Sequence, residues 1–165
     1  MDIKTKNSLS AQDFAGKVAI FDMDGVLLPH MFNGHIAPVG GGYKITEAEY
    51  AANAIELTKP CKHVQNILNS IDTKLNVAIS GIMYQAEDKV RYEWLRDHYK
   101  NITRVIFLSK DCSKVIAIQE FCEKAGIDLK DVIYIDDELY ACTQAEMAGI
   151  NSWHVSSLMD FYEDK

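Results

Sequence analysis

The sequence predicts an α/β fold, a three-layer αβα sandwich with a central parallel sheet. Two observations predict it. Apolar runs of strand length alternate with helix-patterned stretches along the chain, and such alternation places parallel strands between layers of helices. Three of the runs end in polar residues: Val18-Ala19-Ile20-Phe21 in Asp22, Val77-Ala78-Ile79 in Ser80-Gly81, and Val132-Ile133-Tyr134-Ile135 in Asp136-Asp137. In a parallel sheet these ends share one edge, where open α/β sheets bind their ligands.

The run from Val18 to Phe21 is uninterrupted, as a strand covered on both faces must be. Asp22 and Asp24 follow it with Met23 between them, so strand alternation turns both carboxylates one way. Two carboxylates so placed repel unless a cation lies between them. Oxygen ligands alone favour Mg²⁺. Gly25 lets the chain leave through a sharp turn.

Before this strand, residues 1–16 are polar and mixed, with a turn or short helix expected between Asn7 and Phe14. After it, Pro29, Gly34, Pro38 and Gly40-Gly41-Gly42 exclude regular structure from residues 29–45. That stretch is expected to hang over the acid pair as a flap. Thr46-Glu47-Ala48-Glu49 is a capping box that opens a helix to about Leu57. A second helix starts after Pro60 and packs through Val64, Ile67, Leu68 and Ile71. Flap and helices form a small insertion at about 29–70 within a single domain, 1–165.

Leu75 to Ile79 reads as the second strand. Residues 86–99 form a helix with Val90, Trp94, Leu95 and Tyr99 on its packed face. Arg104 to Leu108 is the third strand. Ser113 to Ala125 is an amphipathic helix packing through Val115, Ile118, Phe121, Cys122 and Ala125, and Gly126 stops it. Val132 to Ile135 is the fourth strand, Leu139 to Met147 a helix, and Ser152 to Val155 a short last strand.

A chain of 165 residues is one domain with a substantial core. The net charge of -7 argues against non-specific binding to nucleic acid or an acidic membrane, both polyanions. No stretch is long and apolar enough to cross a bilayer, and Met-Asp-Ile-Lys-Thr-Lys-Asn-Ser at the start lacks a signal-peptide apolar region. The expected location is the cytoplasm. Cys61, Cys112, Cys122 and Cys142 contain no C-x-x-C pair and read as reduced thiols. His30, His35, His63, His98 and His154 show no recurring ligand spacing, which argues against zinc.

The strand ends therefore bring together Asp22, Asp24, Ser80, Asp136 and Asp137, and a helix start adds Ser113-Lys114. Four carboxylates with one lysine and one hydroxyl can hold both Mg²⁺ and a phosphate. Mg²⁺ takes a few carboxylates and keeps its other positions for water and phosphate oxygen. Lys114, in the first turn of its helix, adds charge where the helix dipole already favours anions. Ser80 and the backbone N–H groups after it, Gly81 first, can donate to phosphate oxygens.

These residues, taken in order, resemble the haloacid dehalogenase-like hydrolase superfamily. The motifs are Phe21-Asp22-Met23-Asp24-Gly25-Val26-Leu27, then Val77-Ala78-Ile79-Ser80-Gly81, then Lys114 ahead of Val115 to Gly126, then Tyr134-Ile135-Asp136-Asp137. The resemblance spans residues 17 to about 156. It implies that Asp22 is the nucleophile forming an aspartyl phosphate, and Asp24 the general acid and then base. It implies that Ser80 and Lys114 hold the phosphoryl group. Asp22, Asp136, Asp137 and the backbone carbonyl of Asp24 would hold Mg²⁺. Halide-removing members generally lack the second acid, so Asp24 points to phosphoryl transfer.

Two departures qualify the match. Many members carry a further acid four or five residues after the last motif, where this chain has Cys142 and its neighbours. Lys110 competes with Lys114 for the lysine role, and Lys114 is preferred because it starts the helix directly. The implied activity is a phosphomonoesterase acting on a small phosphorylated molecule. Ser80 to Tyr99 is loosely similar to the same region of the deoxyribonucleotidase branch, which suggests nucleoside monophosphates. His30, Tyr43 and Tyr84 are the candidate leaving-group contacts. The alternatives are a phosphatase module acting on protein or nucleic-acid ends, and a non-catalytic binding protein that keeps the fold.

Overall fold

The computed structural model describes residues 8–28, 55, 58–82, 87–109 and 111–161. Five parallel strands form one sheet: β1 (Val18–Asp22), β2 (Leu75–Ile82), β3 (Arg104–Ser109), β4 (Val132–Asp136) and β5 (Asn151–His154). Their order is β3-β2-β1-β4-β5, so the strand carrying the acid pair is central. The helices are α1 (Ala11–Phe14), α2 (Lys62–Ser70), α3 (Glu87–His98), α4 (Lys114–Ala125) and α5 (Leu139–Met147). The expected α/β sandwich is the observed architecture.

Strand alternation divides the core into two layers. Ala19, Phe21, Ala78, Ile133 and Ile135 face one side, where they pack with Phe14, with Ile67 and Leu68 of α2, and with Trp94 and Leu95 of α3. Val18, Ile20, Val77, Ile79, Val132 and Tyr134 face the other, against Ile118 and Cys122 of α4 and Ala145 of α5. All five residues of β1 are buried, which explains its unbroken apolar run. Each large apolar side chain so buried contributes roughly 1.5–3 kcal/mol against solvent.

Four details differ from the sequence reading. β2 runs on through Gly81 to Ile82, because both pair with β3 at Leu108 and Ser109. β5 begins one residue early, at Asn151, which pairs with Ile133. Ala125 is exposed at the last turn of α4, just before Gly126 closes the helix at φ 66°. On α3 the buried face includes Glu87 and Arg91 beside Trp94 and Leu95, with Val90 only partly covered. The flap at 29–45, with His30, His35 and Tyr43, lies outside the described residues. So do Tyr84, Lys110 and nearly all of the helix expected from Thr46 to Leu57.

Two long side chains tie α3 to the chain around β1. Tyr99, just beyond the helix, donates to the Leu27 carbonyl at 2.7 Å, and Trp94 donates to the Thr58 carbonyl at 2.8 Å. Both rings are buried, so they are anchors of the packed face and not stacking platforms. All four cysteines are free thiols. Among the described residues no helix is long and apolar enough to cross a membrane.

Candidate active site

The strand order contains one reversal at β1. The chain goes from β1 to β2 on one side, and returns from β3 through α4 to β4 on the other. The crevice at the carboxyl ends of β1 and β4 is therefore the switch point of the sheet, the place where such folds bind ligands. Phe21 pairs with Ile135, so the next residues, Asp22 and Asp136, stand side by side. Both continue the alternation of Val18, Ile20, Val132 and Tyr134, and so emerge on the α4 side.

There they meet Lys114, the first residue of α4. Its Nζ lies 2.9 Å from Asp22 Oδ2 and 3.0 Å from Asp136 Oδ2. Ser113 caps the helix by accepting from the Ile116 N–H at 3.4 Å, which fixes where Lys114 begins. Asp136 is fully buried and well supplied with donors: besides Lys114, the Glu138 N–H at 2.8 Å and the Tyr134 hydroxyl. Asp137 is held through its backbone, whose carbonyl contacts His154 Nε2 at 2.9 Å. Oxygens of Asp22, Asp136 and Asp137 lie within 4.8 Å of one another.

The electrostatics follow from burial. Asp22 is pushed up to about 8, first by loss of water and then by the Asp136 carboxylate, with Lys114 opposing both. Burial alone would lower the Lys114 ammonium, but Asp22 and Asp136 outweigh it and hold it above its usual value. Burial and the Asp136 carboxylate raise the Tyr134 phenol, which stays a donor. Asp22, Asp24, Asp136 and Asp137 thus face two cations among the described residues, Lys114 and Arg91. The excess of negative charge, in an oxygen-only donor set, fits a hard divalent cation such as Mg²⁺.

The second half of the site lies toward the opposite helix layer. Ser80 follows Ala78 in the alternation of β2 and so turns toward α3, away from Lys114. It is fully buried, donates to the Gly81 carbonyl at 3.2 Å, and accepts from Arg91 Nη1 at 3.1 Å. The same Nη1 donates to both carboxylate oxygens of Asp24, at 2.9 and 2.8 Å. Arg91 Nε lies 3.6 Å from Glu87 Oε2, one helical turn back. Gly81 has open space where a side chain would be.

Asp24 and Asp22 therefore engage different cations. β1 ends at Asp22, so strict alternation does not carry on to Asp24. Gly25, at φ 78°, turns the chain, and Leu28 N–H returns to the Met23 carbonyl at 2.7 Å. Asp24 still lies close enough to raise Asp22. Ser80 and Lys114, expected to act as one pair, lie toward opposite helix layers.

Arg91 is the residue that sequence reasoning missed. A charge inside a helix ordinarily marks a solvated face. The available signal was Glu87 and Arg91 at i,i+4 in register with Trp94 and Leu95, which puts an ion pair on an apolar stripe.

The sequence matches no family model and no curated protein. The fold, however, has solved counterparts. A haloacid dehalogenase (HAD) superfamily hydrolase of subfamily IA from Geobacter sulfurreducens superposes with a TM-score of 0.57 over 90% of this chain and 89% of its own, at 12% identity. The fold is that of the HAD superfamily. A HAD family enzyme from Bacteroides thetaiotaomicron, in complex with magnesium and inorganic phosphate, gives 0.54 at 13% identity, covering 85% of this chain and 94% of its own. An apo phosphoserine phosphatase gives 0.50 at 13% identity, covering 91% and 94%. The HAD architecture read from the motifs is thus the one observed.

Proposed function

We propose that the protein is a Mg²⁺-dependent phosphomonoester hydrolase working through an aspartyl phosphate on Asp22. One observation carries the reading: Asp22 and Asp136 share the Lys114 ammonium at the switch point of a HAD fold, with Asp137 close by. Asp22, Asp136, Asp137 and the Asp24 backbone carbonyl would hold Mg²⁺. Bound there, Mg²⁺ supplies the positive charge that lets an anionic nucleophile approach a phosphate dianion. The Bacteroides relative, which holds magnesium and phosphate on the same architecture, supports the assignment.

In the first step an Asp22 oxygen attacks phosphorus, the bond to the leaving oxygen breaks, and Asp24 gives that oxygen its proton. In the second, Asp24 takes a proton from water, which attacks the aspartyl phosphate and releases inorganic phosphate and free Asp22. Lys114 keeps Asp22 oriented and lowers the cost of its charge. The direct test is release of nitrophenol from para-nitrophenyl phosphate. EDTA is expected to abolish turnover and excess Mg²⁺ to restore it. Ca²⁺ is expected to fail, since it takes more oxygens at longer distance and can make Asp22 a bidentate ligand. Equal turnover in EDTA, or full activity with Ca²⁺, overturns the proposal.

The substrate reading is narrower: a nucleoside monophosphate or an aromatic phosphate of similar size. It is supported by the resemblance of Ser80 to Tyr99 to the deoxyribonucleotidase branch. A cavity of about 540 Å³ adds support, lined by Gly25, Val26, His63, Val64, Val155 and Leu158, largely apolar and starting one residue beyond Asp24. Such a space suits a leaving group that carries a flat ring better than a bare sugar. Nucleotides are expected to exceed sugar phosphates in kcat/KM at least about tenfold, a difference of about 1.4 kcal/mol. A sugar phosphate that wins by that margin removes the substrate reading and leaves the chemistry standing.

A further inference from the structure

We infer that Arg91, not Ser80, is the phosphoryl-oxygen ligand on the α3 side of the site. The inference rests on the phosphoryl-transfer reading above and names a residue that the motifs do not contain. Arg91 is more than nine-tenths buried, which is rare for an arginine without a task or a full set of partners. Its set is not full. Nη1 serves Asp24 and Ser80, and Nε faces the Glu87 carboxylate at 3.6 Å, beyond hydrogen-bond length, while Nη2 makes no hydrogen bond among the described residues. A buried guanidinium whose Nη2 donors are uncommitted beside Asp24 is a prepared site for a phosphoryl oxygen.

Ser80 is badly placed for the same work. It has no exposed surface, its hydroxyl proton points to the Gly81 carbonyl, and Arg91 Nη1 occupies its acceptor side. The guanidinium lies between the Ser80 hydroxyl and the Asp24 carboxylate. Ser80 therefore orients Arg91, as Asp24 does from the other side. Lys114 has two of its three N–H donors committed to Asp22 and Asp136. Arg91 keeps both Nη2 N–H donors for an incoming dianion, against one on Lys114.

The test measures inorganic phosphate affinity of the Mg²⁺-loaded protein by calorimetry, together with KM and kcat on para-nitrophenyl phosphate. Arg91→Gln is expected to weaken phosphate binding at least tenfold and to raise KM by a similar factor. Arg91→Lys recovers part of the loss, because charge is kept and the fork is not. Ser80→Ala weakens binding less than Arg91→Gln does. A loss below tenfold in Arg91→Gln, or a larger loss in Ser80→Ala, overturns the inference. Should Arg91→Gln not fold, Arg91→Lys decides against Ser80→Ala by the same ranking. A wild-type protein that binds phosphate through Arg91 without hydrolysing esters removes the phosphatase reading alone. Wild-type turnover with Arg91→Gln binding phosphate normally removes this inference alone.

Discussion

Asp22→Asn protein is expected to lose at least about 10⁴-fold in turnover while folding, without metal, more stably than the wild type. The two effects have one cause. Asp22 stands at the end of a central, fully buried strand, and its carboxyl is pushed up to about 8 by burial and by Asp136. An amide at this position cannot attack phosphorus. It also has no charge to desolvate, so the cost of ionising Asp22 disappears.

The sign of the pH dependence follows. In the unfolded chain Asp22 loses its proton near pH 4, whereas the folded metal-free protein keeps it to about 8. Its contribution to stability is therefore complete below about pH 4 and is lost as pH rises toward 8. In EDTA at pH 8 the Asn variant should exceed the wild type by up to about 5 kcal/mol, and near pH 4 the difference should vanish. Mg²⁺ reverses the order, because it stabilises the wild type through the ionised carboxylate. Thermal melts of both proteins at pH 4 and pH 8, with EDTA and with Mg²⁺, check this. Identical melts at pH 8 in EDTA would count against the burial argument.

Lys114→Met is expected to cost about 3–5 kcal/mol in the metal-free protein at neutral pH. Its ammonium is shared by two carboxylates, one wholly and one almost wholly buried. Methionine fills much the same volume and supplies no charge, so the buried Asp136 carboxylate loses its cation and Asp22 is held still more firmly in its protonated form. Mg²⁺ should restore much of the stability, since it replaces the missing charge between the same oxygens. Activity should nonetheless fall about 10²–10³-fold, because Asp22 is no longer held from the α4 side. Urea melts with and without Mg²⁺ separate the two terms. A variant as stable as wild type in EDTA would show that Lys114 does not neutralise this pair.

The strands were legible because parallel strands buried on both faces need continuous apolar runs, and β1 and β4 have them. Helix α4 was legible from its apolar stripe and from Gly126, which stops it in the left-handed region. Asp22, Asp136 and Lys114 could be grouped because acids at strand ends and a lysine at a helix start fall on one edge of any parallel sheet. Arg91 was legible only as half of an i,i+4 ion pair on an apolar stripe, not as a site residue. Its letter is that of a surface residue, and its burial depends on Asp24 and Ser80, which are 67 and 11 residues away.

By itself, then, the sequence determined the alternation of strands and helices and the edge on which the acids gather, because both follow from local periodicity and from chain direction. Only the tertiary structure decided how the site divides. Each crossover helix chooses one face of the sheet, and a strand-end side chain meets whichever helix covers its own face. That choice sends Asp22 and Asp136 to Lys114 on α4, and Ser80 to Arg91 on α3. Packing between whole elements makes it, and the periodicity of one element does not show which face of the sheet the next one covers.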